Sequence, residues 1–215
     1  MVGQPLLILR QPIFYYQNYI PMKHIIGLLA MLLPLLSGAQ SPPVKALTIG
    51  DTVPDITISN IINYKTTSAK LSDFKGKLVI LDFWAVWCSG CIQGMPKLDS
   101  LQKEFKNKLQ VILINDEGER STLENEKKTK AFFTNWEIKS NRSFALPSSL
   151  KRIDSLEKLF PHIFIPHYVW VGPKGKVIAI TNSQEINREN IKDVLNGLPG
   201  KMPLKTDRLQ SSPQN

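Results

Sequence analysis

The sequence of this 215-residue chain predicts an α/β fold, on three local patterns. Two nearly unbroken apolar runs, Lys77–Trp84 and Leu109–Asn115, read as strands buried on both faces. Between them Ile92, Met95, Leu98, Leu101 and Phe105 recur every three or four residues, which is the period of an amphipathic helix ending near Lys106 and Asn107. Residues 77–115 therefore read as one βαβ unit with a right-handed crossover. The third pattern is a hairpin: His167–Val171 and Lys176–Thr181 are strand-like and joined by Gly172, Pro173, Lys174 and Gly175.

The remaining elements follow in chain order. Residues 22–40 hold Lys23, a twelve-residue apolar run from Ile25 to Leu36, and the small residues Ser37, Gly38 and Ala39. This is the pattern of a secretory signal peptide cleaved after Ala39. The run is short and contains Pro34, which argues against a permanent membrane span. Gln40, not a cysteine, follows it, so lipid attachment there is not expected. Residues 1–39 are thus expected to be a leader whose true start is Met22, with 1–21 an extension outside it. Export to the periplasm or cell envelope follows, with a membrane tether if the leader is uncleaved.

Residues 41–60 are extended in character, with turn signals at Gly50 and Asp51. Residues 121–136 read as a helix opened by a Ser121 and Glu124 capping box. Residues 141–150 read as a loop, and a short helix ending at 155–160 opens near Ser148 or Ser149. Asn187 is placed to cap a last helix carrying Ile191, Val194 and Leu195. Residues 199–215 read as a disordered tail, which leaves 40–198 as the working domain.

Composition narrows the function. With 42% hydrophobic and 21% charged residues the chain is an ordinary globular protein. Its net charge of +9 is scattered, with no basic run of the kind that binds nucleic acid. Two cysteines are too few for a disulfide scaffold, and three histidines offer little material for a zinc site.

Both cysteines sit where the first strand gives way to the helix, as Cys88 and Cys91 after Trp87. There the unpaired N–H groups and positive dipole end of the helix lower a thiol pKa, which makes Cys88 the expected exposed nucleophile. Cys91, one turn deeper on the same side, is the expected resolving thiol. A static disulfide is the blander alternative, but so small a loop removes little entropy from the unfolded chain. Metal capture by two cysteines would need ligands from elsewhere.

The segment Leu81–Cys91 resembles the active-site segment of the thioredoxin superfamily, and most of all its exported TlpA/ResA-like branch. The opening segment Ile49–Asp55 and Pro96, five residues after Cys91, fit that resemblance, which covers residues 47–198. It implies a thioredoxin-like fold: a central mixed sheet flanked by helices. Cys91 and Pro166 lie 75 residues apart, so an insertion around 118–160 is expected before the strand that follows Pro166. The resemblance makes Pro166 a cis-proline facing the disulfide, and makes Ile165 the residue whose backbone pairs with substrate. Trp87 then shields the disulfide and contacts substrate, while Trp84 belongs to the core. Asp82 stands at the position of a buried acid that relays a proton to or from Cys91.

The implied activity is thiol-disulfide exchange with protein substrates by a monomer, in the reducing direction. It needs a membrane electron donor of the thiol-reducing type, but no cofactor and no metal. The rival readings are a non-catalytic binding module and a copper metallochaperone, in which His162 and His167, which flank Pro166, would bind the metal with Cys88 and Cys91. Two departures from the branch are visible: Gly94 stands where a glutamate is common, and Ser89 and Gly90 separate the cysteines. Peroxiredoxin chemistry is not expected, because its motif needs Pro at Leu81 and Thr or Ser at Ala85.

Overall fold

The structure, a computed structural model, describes residues 44–117, 123–140, 144–198 and 202–205, without the side chains of 139 and 140. The expected leader 1–39, with its start at Met22, lies outside the described residues, as does the Ser121 capping box. Among the described residues no helix is long and apolar enough to cross a membrane.

In chain order the strands are β1 (Thr57–Ser59), β2 (Ile61–Ile62), β3 (Ser68–Lys70), β4 (Leu78–Trp84), β5 (Leu109–Asn115), β6 (Ser148–Ser149), β7 (His167–Val171) and β8 (Val177–Thr181). The α-helices are α1 (Ser89–Glu104), α2 (Leu123–Ser140), α3 (Asp154–Leu159) and α4 (Arg188–Leu195). β1 and β3 form a small antiparallel sheet, and the other six strands are ordered β2-β6-β5-β4-β7-β8. β5 runs parallel to β4, from Leu78 opposite Leu109 to Trp84 opposite Asn115. β7 runs antiparallel to β4 on its other side, so the sheet is mixed and β4 lies within it.

Every residue of β4 and β5 is buried, the condition that an unbroken apolar run predicts. The alternation hidden in that run sorts its side chains between two layers. Leu78, Ile80 and Trp84 join Cys91, Met95 and Leu98 of α1. Val79, Leu81 and Phe83 face the opposite layer, with Ile58, Leu156 and Phe160. The hairpin forms as expected, with Gly175 at a φ of 75° closing the turn between β7 and β8. Asn187 caps α4 by accepting the Asn190 backbone N–H at 2.9 Å.

The insertion between β5 and β7 carries α2, β6 and α3, and here two expectations are corrected. Ser148 and Ser149 are not loop but a two-residue strand between β2 and β5, with Ile61 opposite Ser149 and Leu113 opposite Ser148. The Ser149 hydroxyl also accepts the Asn115 N–H at 2.9 Å. Helix α3 therefore opens at Ile153, since the serines expected to open it are committed to the sheet. Two polar residues have no strand propensity of their own; an open sheet edge supplies their partners.

Of the tail expected from 199 onward, only 202–205 lie among the described residues. Met202 packs against the core layer that α1 covers, and Lys205, only 5% exposed, donates its N–H to Ile180 at the outer edge of β8.

Candidate active site

Strand β4 ends at Trp84 and α1 begins at Ser89, so four residues turn the chain at the edge of the sheet. Cys88 is the N-cap of α1 and is bonded to Cys91, with Sγ atoms 2.03 Å apart. The Cys91 backbone N–H donates to Cys88 Sγ at 3.2 Å, an orphan donor of the first turn aimed at the outer sulfur. The first turn of α1 carries no acidic side chain to offset the positive end of its dipole. Cys88, expected to be exposed, is itself buried at 6% exposure, and Cys91 is fully buried, so the bond comes nearest to solvent on the Cys88 side.

The turn is braced from β5. The Val86 N–H donates to the Glu117 carboxylate at 3.3 Å. The Glu117 backbone N–H in turn donates to the Asn115 side chain at 2.8 Å, and Asn115 donates to the Thr129 hydroxyl at 2.7 Å. Glu117 and Asn115 were not legible as site residues, because their only sequence signal is position at the end of a buried strand.

The expected site residues fall as follows. Trp87 is 66% exposed beside the disulfide, whereas Trp84 is fully buried against Phe132 and Phe133. The Ile165–Pro166 bond is cis. Pro166 faces the helix start so closely that a Cβ on Gly90 would lie 3.9 Å from its ring, which makes Gly90 the meeting point of helix and proline. Ile165 is half-buried and touches both core layers. Exposed Ile163 and Phe164 precede it.

Asp82 is fully buried, with no hydrogen-bond partner among the described residues on either carboxylate oxygen. It occupies the β4 face that packs on α1, the face of Ile80 and Trp84, and Tyr168 is its cross-strand neighbour. Burial pushes its pKa well above the ordinary carboxylate value. Burial, and then the Asp82 charge, likewise raise the buried Tyr168 hydroxyl. That hydroxyl lies 3.6 Å from where a Cβ of Gly94 would be. Gly94 thus lies in contact range of the phenol that stands beside the acid, a pairing of Tyr168 and Asp82 that only the β4–β7 register reveals.

His162 and His167 pack against each other rather than against the cysteines. Their rings stack with centroids 4.2 Å apart, and both meet the edge of Phe83. Nδ1 of His162 bonds to the Phe160 carbonyl at 2.8 Å and Nε2 to Asp116 at 3.3 Å. Asp116, Glu157 and His162 bring candidate ligand atoms within 4.8 Å of one another, a grouping that includes neither cysteine. Arg152 already occupies it, 3.4 Å from Glu157 and 3.9 Å from Asp116.

A mixed sheet, a bonded cysteine pair at a helix start and a cis-proline packed on that start define the thioredoxin-like class of protein. Residues 49–180 match the AhpC/TSA family, and the chain belongs to it. It is 37% identical over 89 residues to the thioredoxin-like protein YneN of Bacillus subtilis, a match covering 41% of this chain and about half (49%) of that relative. It is 28% identical over 151 residues to the thiol-disulfide oxidoreductase ResA of Bacillus thuringiensis subsp. konkukian, covering 70% of this chain and 76% of that one. The fold is also similar to that of a secreted thiol-disulfide isomerase from Corynebacterium glutamicum. That similarity has a TM-score of 0.51 at 20% identity, over 73% of this chain and 93% of that one.

Proposed function

We propose that the chain is a protein thiol-disulfide oxidoreductase working in the reducing direction. The observation that carries this reading is the Cys88–Cys91 bond at the first turn of α1, with Pro166 packed over Gly90. In the reduced protein the Cys88 thiolate attacks a substrate disulfide. One substrate sulfur leaves as a thiolate, and Cys88 forms a mixed disulfide with the other. Cys91, deprotonated, attacks Cys88 and releases the second substrate thiolate, so the protein dithiol is oxidised as the substrate disulfide is reduced. The asymmetry of exposure and the N–H aimed at Cys88 Sγ support Cys88 as the attacking group.

Asp82 is the acid-base partner of Cys91 in this reading, and Trp87 and Ile165 with Pro166 are the substrate contacts. The pattern of residues 22–40 supports export to the periplasm or cell envelope. An oxidising compartment then requires a membrane electron donor of the thiol-reducing type, meeting the protein as a monomer. Insulin reduction by dithiothreitol tests the proposal. Cys88→Ser should abolish the protein's contribution, and Cys91→Ser should accumulate a mixed disulfide visible on a non-reducing gel. Full activity of Cys88→Ser would sink the reading.

A further inference from the structure

Lysine is among the residues least often buried, and when buried it is held by partners. Lys205 is 5% exposed, and its partners lie around the cis-proline. Its Nζ donates to the Phe164 carbonyl and, at 3.1 Å, to the Pro166 carbonyl. These are the residues on either side of Ile165. The main chain of Lys205 is itself fixed, by its N–H to Ile180 on the outer edge of β8, while Met202 sits in the apolar layer. The ammonium therefore reaches the loop from a braced segment.

Ile165, by contrast, makes no main-chain hydrogen bond to any described residue. Its carbonyl and N–H are the pair that an extended substrate segment would add to, in the manner of a strand joining a sheet edge. A loop in which the two flanking residues are held and the central one is left unpaired is preorganised for such an addition.

We infer that Lys205 is a positioning residue for substrate: its ammonium holds the Phe164 and Pro166 carbonyls so that the Ile165 backbone is presented to an extended disulfide-bearing peptide. The inference rests on the thiol-disulfide exchange reading. It makes the segment after α4 part of the docking site, although that segment lies some forty residues beyond the cis-proline in the chain.

The test compares the full chain with Lys205→Met, which keeps the aliphatic stem, and with Lys205→Arg, which keeps the charge and donors. With insulin as the disulfide substrate, Lys205→Met should raise KM about tenfold, the scale of a lost charged hydrogen bond, with kcat changed by less than about twofold. In amide relaxation measurements the Ile165 order parameter should fall from the rigid range near about 0.85 toward about 0.6, and Lys205→Arg should restore both readouts. An unchanged KM overturns the inference, and so does a raised KM with an unchanged order parameter, which would make the lysine a direct charge contact. A fall in kcat that Lys205→Arg does not rescue also overturns it, by showing a merely structural role. If the wild-type chain reduces no insulin, the exchange reading fails, and the relaxation data alone decide whether Lys205 orders the loop.

Discussion

Replacing Asp82 with asparagine separates two properties of the buried acid. The structure gives its carboxylate no solvent and, among the described residues, no donor, and burial raises its pKa well above 3.8. A group whose folded pKa is raised contributes stability that is fully present below its unfolded pKa and lost as pH rises through the folded one. Within that window the folded state holds one proton more than the unfolded state. Stability therefore falls by about 1.4 kcal/mol for each pH unit. Asparagine keeps the shape and cannot ionise, so the Asp82→Asn chain should gain on wild type at that rate. For a domain of this size the gain is about 3–5 °C in Tm per pH unit.

Urea denaturation of both oxidised proteins, in steps from about pH 5 upward, measures the difference directly and cancels the titration of every shared group. Two parallel stability curves would refute the reasoning, because they would mean that the carboxylate ionises as it does in water. The same variant tests the chemistry. If Asp82 exchanges a proton with Cys91, insulin reduction should fall about a hundredfold in Asp82→Asn, within the usual range for general acid-base catalysis. Diverging stability with unchanged turnover would leave Asp82 a buried acid outside the reaction.

Two further outcomes are expected. Burial, and then the Asp116 charge, raise Glu157 to about 7, while Asp116 and the Phe160 carbonyl outweigh burial to keep His162 above its ordinary value. Both groups thus favour their protonated forms in the fold. Wild type should lose up to about 3 kcal/mol relative to Glu157→Gln as pH rises from about 4.5 through 7; a flat difference in urea titrations would contradict this. Met95, fully buried one turn beyond Cys91, should cost about 2–5 kcal/mol when replaced by alanine, measured by thermal unfolding of the oxidised protein. A loss under about 1 kcal/mol would mean that the layer beneath the disulfide closes over the gap.

Features whose parts lie close together along the chain are legible in the sequence. The strands at 77–84 and 109–115, the helix between them, the hairpin glycines and the Asn187 cap each carry their signal within a dozen residues, because hydrophobic period and capping chemistry are local. The cysteine pair belongs to the same kind, since nucleophile, resolving thiol and helix start occupy four consecutive positions. By itself the sequence determined the α/β class, the placement of Cys88 and Cys91 at a helix start, and the family resemblance that pointed to Asp82, Ile165 and Pro166.

Tertiary structure alone decided which distant groups meet. Ser148 and Ser149 became strand because an edge of β5 offered hydrogen-bond partners. Tyr168 came to stand beside Asp82 through the antiparallel register of β4 and β7. Glu117 reached the turn before Cys88 because parallel strands end side by side. Lys205, expected in a loose tail, came to hold the cis-proline loop. None of these pairs shares a local pattern, because a hydrogen bond or a buried charge is satisfied by whatever the fold brings within about 3 Å, and sequence distance does not enter that energy.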